Sequence, residues 1–133
     1  MRGDTIAAAF IENALGFAQS AELAGYDDAV PRLHAASIAL ELSLKAVALH
    51  QGATDQQYRE SIGHDLARAW HLACAYGFEP AEGLAAIAAR LSPYYSRHGL
   101  AELAPHVGAA ELARIAGAVR RHVEAVRAWM ETD

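Results

Sequence analysis

Tyr94, Tyr95, Arg97 and His98 crowd into one short stretch, and together they supply the group types that metal-independent RNA cleavage needs. An imidazole that titrates near neutrality can move the 2′-hydroxyl proton, and a guanidinium can hold the phosphate as its charge develops. Paired tyrosines offer faces on which bases stack. The same residues also fit a structural reading, in which the tyrosines pack a loop onto neighbouring helices and Arg97 caps a helix end or meets a carboxylate.

A second set lies in PRLHAASIALELSLKAVALH, from Pro31 to His50. At 100° per residue, His34, Ser37, Glu41 and Lys45 fall on one arc of roughly 80°, a polar line on an otherwise apolar helix. Glu41 precedes Lys45 by four residues, the favourable order for a helical ion pair, worth roughly 0.2–0.5 kcal/mol in water. The line is either a self-satisfied pair or a seam that binds a ligand or partner, and the latter needs partners from elsewhere in the chain. His64 and Asp65 are the nearest candidates. At the start of a helix His64 can bond exposed backbone groups or reach Glu41, and Asp65 complements the helix's positive end.

Other chemistries find no residues to stand on. No histidine pair sits at the spacing of H-E-x-x-H and Cys74 is the only cysteine, so neither a structural zinc nor another metal or cofactor is expected. There is no Gly-rich phosphate loop and no G-x-S-x-G. With 133 residues the chain makes one domain, 1–133, able to bury about two thirds of its unfolded surface. A net charge of -5 argues against a broad electrostatic footprint on nucleic acid. A lone cysteine, no signal-peptide pattern and no uncharged apolar run of about 18 residues lead us to expect a soluble cytoplasmic protein with no membrane contact.

These residues must be positioned by helices, since no stretch reads as a strand. The spacing predicts a first helix capped by Asp4 or Thr5, with Ile6, Phe10, Ala14, Phe17, Ala21 and Ala24 on its inner face and Gly25 as its end. Pro31 suits the opening turn of the second, which becomes the first helix's antiparallel neighbour across the polar Tyr26-Asp27-Asp28 step. Asp55 to Glu60 reads as a loop or short helical turn. A third helix starts at His64 or Asp65 with Leu66, Ala69, Trp70, Ala73 and Gly77 in line. A fourth opens at Pro80, carries Leu84, Ile87 and Leu91 inward, and is shut off by Pro93. Ser92 to His106 has no clear period. The last helix, Gly108 to Met130, repeats Leu112, Ile115, Val119, Val123, Val126 and Met130 in steps of three and four, with Arg120–Glu124 and Arg127–Glu131 pairs outside. The expected fold is all-α, an up-and-down bundle of four main helices plus one additional helix.

With these residues placed, Ala36-Ser37-Ile38-Ala39-Leu40-Glu41-Leu42-Ser43-Leu44-Lys45-Ala46 resembles the A-x-E-L-x-L-K-A core of the HEPN superfamily. Gly63-His64-Asp65-Leu66 resembles that superfamily's (G/T)-H-(D/S)-L step into the third helix. The likeness runs from about Asp4 to Tyr76. It implies a helical bundle that commonly dimerises, found in prokaryotic toxins, antiphage proteins and partners of minimal nucleotidyltransferases. HEPN ribonucleases carry an Arg, four to six residues, then a His, towards the last helices. Here the spacing occurs at Arg59 and His64, ahead of the third helix, while Arg97 and His98 are adjacent. The expectation is therefore a non-catalytic binding or scaffold module, homodimeric, with a nucleotidyltransferase or an antitoxin as partner and RNA or a nucleotide as candidate ligand. His34, Ser37, Glu41, Lys45, His64, Asp65, Tyr94 and Tyr95 would then form the binding face. The alternative is a ribonuclease, toxin or antiphage, working through Arg97 and His98 in a 94–99 loop, or through Arg59 and His64.

Overall fold

A helix with apolar groups on all sides has to be surrounded, and the second helix is. In the structure, a computed structural model that describes residues 2–23 and 29–132, seven α-helices follow one another. They are α1 (Arg2–Leu23), α2 (Ala29–His50), α3 (Asp55–Ser61), α4 (Leu66–Ala75), α5 (Leu84–Tyr95), α6 (Leu100–Leu103, continued by a 3-10 turn over Ala104–His106) and α7 (Ala109–Thr132). The described residues contain no strand, and none of their helices is long and apolar enough to cross a membrane. Helix α2 touches every other element and buries Leu33, Leu40, Leu44, Val47 and Leu49.

Helix α1 packs along α2 more extensively than any other pair packs. Arg32 Nε near the start of α2 donates to the carbonyl of Ala21 late in α1 at 2.8 Å. Phe10, early in α1, lies under the Lys45 ammonium late in α2, so the two run antiparallel. The link between them, with Ala24, Gly25 and the Tyr26-Asp27-Asp28 step, lies outside the described residues.

The inner face of α1 differs from the expected one. Ala7, Ile11, Ala14, Ala18 and Ala21 are buried, whereas Ile6 and Phe17 are 49% and 38% exposed and Phe10 only flanks the core. Methyl side chains let two helix backbones approach closely, and that close approach outweighs burying two bulkier groups at wider spacing. Asp4 and Thr5 lie within the helix, which already includes Arg2, and not at its start.

Two other expectations are corrected. Asp55 to Ser61 is a full helix, because Thr54 and Gln57 form a capping box: Thr54 Oγ1 accepts the Gln57 amide and Gln57 Oε1 accepts the Thr54 amide, both at 3.0 Å. Helix α5 begins at Leu84, not Pro80, and Pro93 lies inside it. Pro93 and Ala89 are both exposed, so the Ala89 carbonyl that loses its helical donor can turn to solvent. The other boundaries hold closely. Asp65 caps α4, its Oδ1 accepting the Arg68 amide at 3.0 Å. The α7 seam of Leu112, Ile115, Val119, Val123 and Val126 is buried. Arg120 meets Glu124 at 3.0 Å as expected and also meets Glu22, but Arg127 reaches Glu12 at 3.5 Å instead of Glu131. Both extra contacts fasten α7 to α1.

One α7 residue carries a pH consequence. His122 is 1% exposed, edge-on to Phe78 with ring centroids 5.5 Å apart, and neither ring nitrogen finds a hydrogen bond among the described residues. Burial disfavours the imidazolium and pushes its pKa down to about 3. The folded imidazole therefore stays neutral while the unfolded one protonates below about 6.5. Stability is lost as pH falls from that value towards 3, by roughly 1 to 1.5 kcal/mol per pH unit. Urea melts at pH 7 and pH 5 will show this loss, and in His122→Leu about 2 kcal/mol of it will disappear; an unchanged drop in the variant would refute the assignment.

Candidate functional site

The two charged residues of the α2 polar line are answered by other elements. Glu41 Oε1 accepts a short hydrogen bond from the Tyr95 hydroxyl of α5, and Oε2 lies 2.7 Å from Nδ1 of His64, in the turn between α3 and α4. Glu41 and Lys45 turn to different partners: Lys45, its side chain 11% exposed, meets Asp55 of α3 and stands over the rings of Phe10 and Tyr58. Asp55 also takes Arg59 at 3.1 Å. The Lys45 hydrogen bond holds the Asp55 carboxyl below its ordinary range against the opposing pull of desolvation, and the Lys45 and Arg59 charges add to it. Ser37 is fully buried and spends its hydroxyl on the Leu33 carbonyl at 2.8 Å, a bond within its own helix.

The Tyr95 ring is the centre of a histidine cluster. His64 lies edge-on to it at 5.7 Å, His34 tilts towards it at 6.2 Å, and His98 is 6.5 Å from His64. An open cleft of about 190 Å³ is lined by His34, Tyr95 and His98 with Val30, Leu100 and Ala101 as its apolar side. Burial, then the hydrogen bond to Glu41 and its charge, raise the Tyr95 pKa well above that of a free phenol, so the hydroxyl remains a donor. Burial does the same to Tyr58, with the Glu41 charge adding to it.

Tyr94 and Tyr95 occupy the last turn of α5, not a loop. The helix closes when the His98 amide donates to the Tyr95 carbonyl at 3.2 Å and the Gly99 amide to the Tyr94 carbonyl at 2.6 Å, the paired bonds of a Schellman motif. His98 stands at the left-handed position of that motif with φ 60, where glycine is the usual residue. From that position His98 lines the cleft. Arg97 goes elsewhere: its guanidinium bonds Glu102 at 2.9 Å and lies 5.2 Å from the Tyr94 ring centre. A Cβ at position 99 would come within 3.1 Å of Arg97 Nε, so Gly99 leaves room for this course.

The candidate residues therefore divide. Glu41, His64, Tyr95, His98 and His34 come together. Arg97 and Tyr94 are adjacent to them but engaged with each other and Glu102. Ser37, Lys45 and Asp65 serve the fold, Asp65 Oδ1 also taking the Ser92 hydroxyl at 3.2 Å. Arg59 is drawn to Asp55, away from any partnership with His64. Sequence reasoning missed Asp55 as the counter-ion of Lys45 and missed the apolar side of the cleft; only the His98-Gly99 pair, a helix-ending signature, hinted at the geometry there.

Chemically, a carboxylate that fixes Nδ1 of His64 leaves Nε2 as the nitrogen for proton transfer or ligand contact. No group of three His, Cys, Asp or Glu among the described residues is arranged to hold a metal ion.

Removing the hydroxyl in Tyr95→Phe will cost about 1.5–3 kcal/mol in urea melts, the range for a hydrogen bond to a charged group. Combined with His64→Ala it will show non-additive loss, since both side chains share Glu41. His98→Gly will gain about 1 kcal/mol by relieving the left-handed strain. A cost below about 0.5 kcal/mol for Tyr95→Phe would deny Glu41 its anchoring role.

Compared with family models, with curated proteins and with solved structures, the chain matches none.

Proposed function

We propose that this chain is a HEPN-like binding module without catalytic activity, an up-and-down bundle of four main helices plus an additional one, whose recognition face is the cleft around Tyr95. The observation that carries this reading is the position of Arg97: its guanidinium, next to His98 in the chain, is paired with Glu102 at 2.9 Å and laid against Tyr94. Cleavage of RNA needs that charge on the scissile phosphate. Recognition does not. His34, Tyr95 and His98 around a small apolar-sided cleft instead suit contact with a nucleotide or with a partner chain, a nucleotidyltransferase or an antitoxin.

The same reading makes the module a homodimer. Ile6 and Phe17, eleven residues apart and thus on one side of α1, are its exposed large hydrophobics, and a second copy covering them would remove both from water. Light scattering will give twice the 14.2 kDa chain mass at high micromolar concentration, and Phe17→Glu will give the monomer. A wild-type monomer would remove this part of the proposal.

A second reading has one observation in its favour. His64, oriented by Glu41, is 6.5 Å from His98, and two imidazoles at that separation can act as base and acid across an RNA phosphate. Incubating the protein with labelled single-stranded RNA separates the two. We expect no cleavage by the wild type, by His64→Ala, by Arg97→Ala or by His98→Ala; wild-type cleavage abolished in the variants would establish a ribonuclease in place of a binding module.

A further inference from the structure

A second opening, between α3 and α4, shares no lining residue with the Tyr95 cleft and measures about 500 Å³ against about 190 Å³. Its apolar lining is Ala53, Ile62 and Leu72, the Tyr58 ring being only 3% exposed, and its rim carries Gln57, Ser61, Arg68 and Tyr76. No Asp or Glu lines it, in a chain with 16 acidic and 11 basic residues.

Two acceptor oxygens beside this rim are engaged. Gln57 Oε1 is taken by the Thr54 amide in the α3 capping box, which leaves the side-chain NH2. Asp65, the carboxylate three residues before Arg68, gives its Oδ1 to the Arg68 amide and to the Ser92 hydroxyl. Arg68 has no ion pair among the described residues, a condition it shares with Arg32, Arg114 and Arg121, whereas Arg59, Arg90, Arg97, Arg120 and Arg127 each have one. What remains on the rim is a set of donors: a planar guanidinium fork, an amide NH2 and two hydroxyls. A fork of that shape matches the paired oxygens of a carboxylate or phosphate, and a floor of aliphatic surface matches an apolar body.

We propose that this groove binds a small organic oxyanion, an acid group carried on an apolar body, with Arg68 holding the oxygens and Gln57, Ser61 and Tyr76 completing the shell above Ile62 and Leu72. The inference is independent of the function proposed for the Tyr95 cleft.

The test titrates the full ¹⁵N-labelled chain with phenyl phosphate, with benzoate and with neutral benzyl alcohol, following the Arg68 Nε–H signal and the amides of Ser61 and Tyr76. Phenyl phosphate or benzoate will produce saturable shifts, and the tighter of the two identifies which acid group the groove prefers. Arg68→Gln, which keeps the backbone amide that Asp65 caps, will weaken binding by about tenfold or more. Tyr76→Phe will weaken it less, and Arg114→Gln on α7 will leave it unchanged. Absence of saturable shifts with either acid, equal affinity for benzyl alcohol, or undiminished affinity in Arg68→Gln would overturn the proposal.

Discussion

One carboxylate organises the packing of three parts of the chain. Glu41 on α2 receives the Tyr95 hydroxyl from α5 and Nδ1 of His64 from the α3–α4 turn, so a side chain on the most enclosed helix fixes where two outer segments may sit. A partly buried carboxylate is costly unless its oxygens are satisfied, and here each has a donor. Meeting that requirement brings His64 and Tyr95 together, and the chain that follows Tyr95 then lays His98 beside them. The cleft is thus a by-product of satisfying a charge.

The rest of the α2 line follows the same logic with different outcomes. Lys45 is enclosed more deeply than Glu41, and its counter-ion arrives on α3, a helix that otherwise barely touches α2. Tyr58 adds ring surface over the ammonium but leaves its own hydroxyl buried without a partner among the described residues. Ser37 shows the cheapest solution, a bond to its own helix backbone. Ser37, Glu41 and Lys45 are thereby spent in three ways, while His34 of the same arc itself lines the Tyr95 cleft.

Much of this was legible in the sequence because it is local or nearly so. The unbroken apolar wheel of α2, the α7 repeat and the Asp65 cap depend on residues within a few positions of one another. The Glu41–His64 contact was readable because both residues sit at fixed places on adjoining segments. What escaped depends on distances between helices. The inner face of α1 is set by how closely α2 approaches, which a hydrophobic pattern does not encode, so Ile6, Phe10 and Phe17 looked like core. Arg127 had an acidic residue one turn away and took Glu12 of α1 instead. Pro93 is a helix breaker only where the carbonyl it displaces has nowhere to go. The proposed cleft and groove were invisible for the same reason, since each is a gap between elements.

The narrow alanine face of α1 also has a mechanical meaning. With Ile11 the exception beside Ala7, Ala14, Ala18 and Ala21, the joint has few long side chains to bend aside, so its spacing has little give. A bulkier residue there would act as a wedge. Because α2 abuts every other segment, the strain would travel from that joint into the whole assembly, including places far from the substitution.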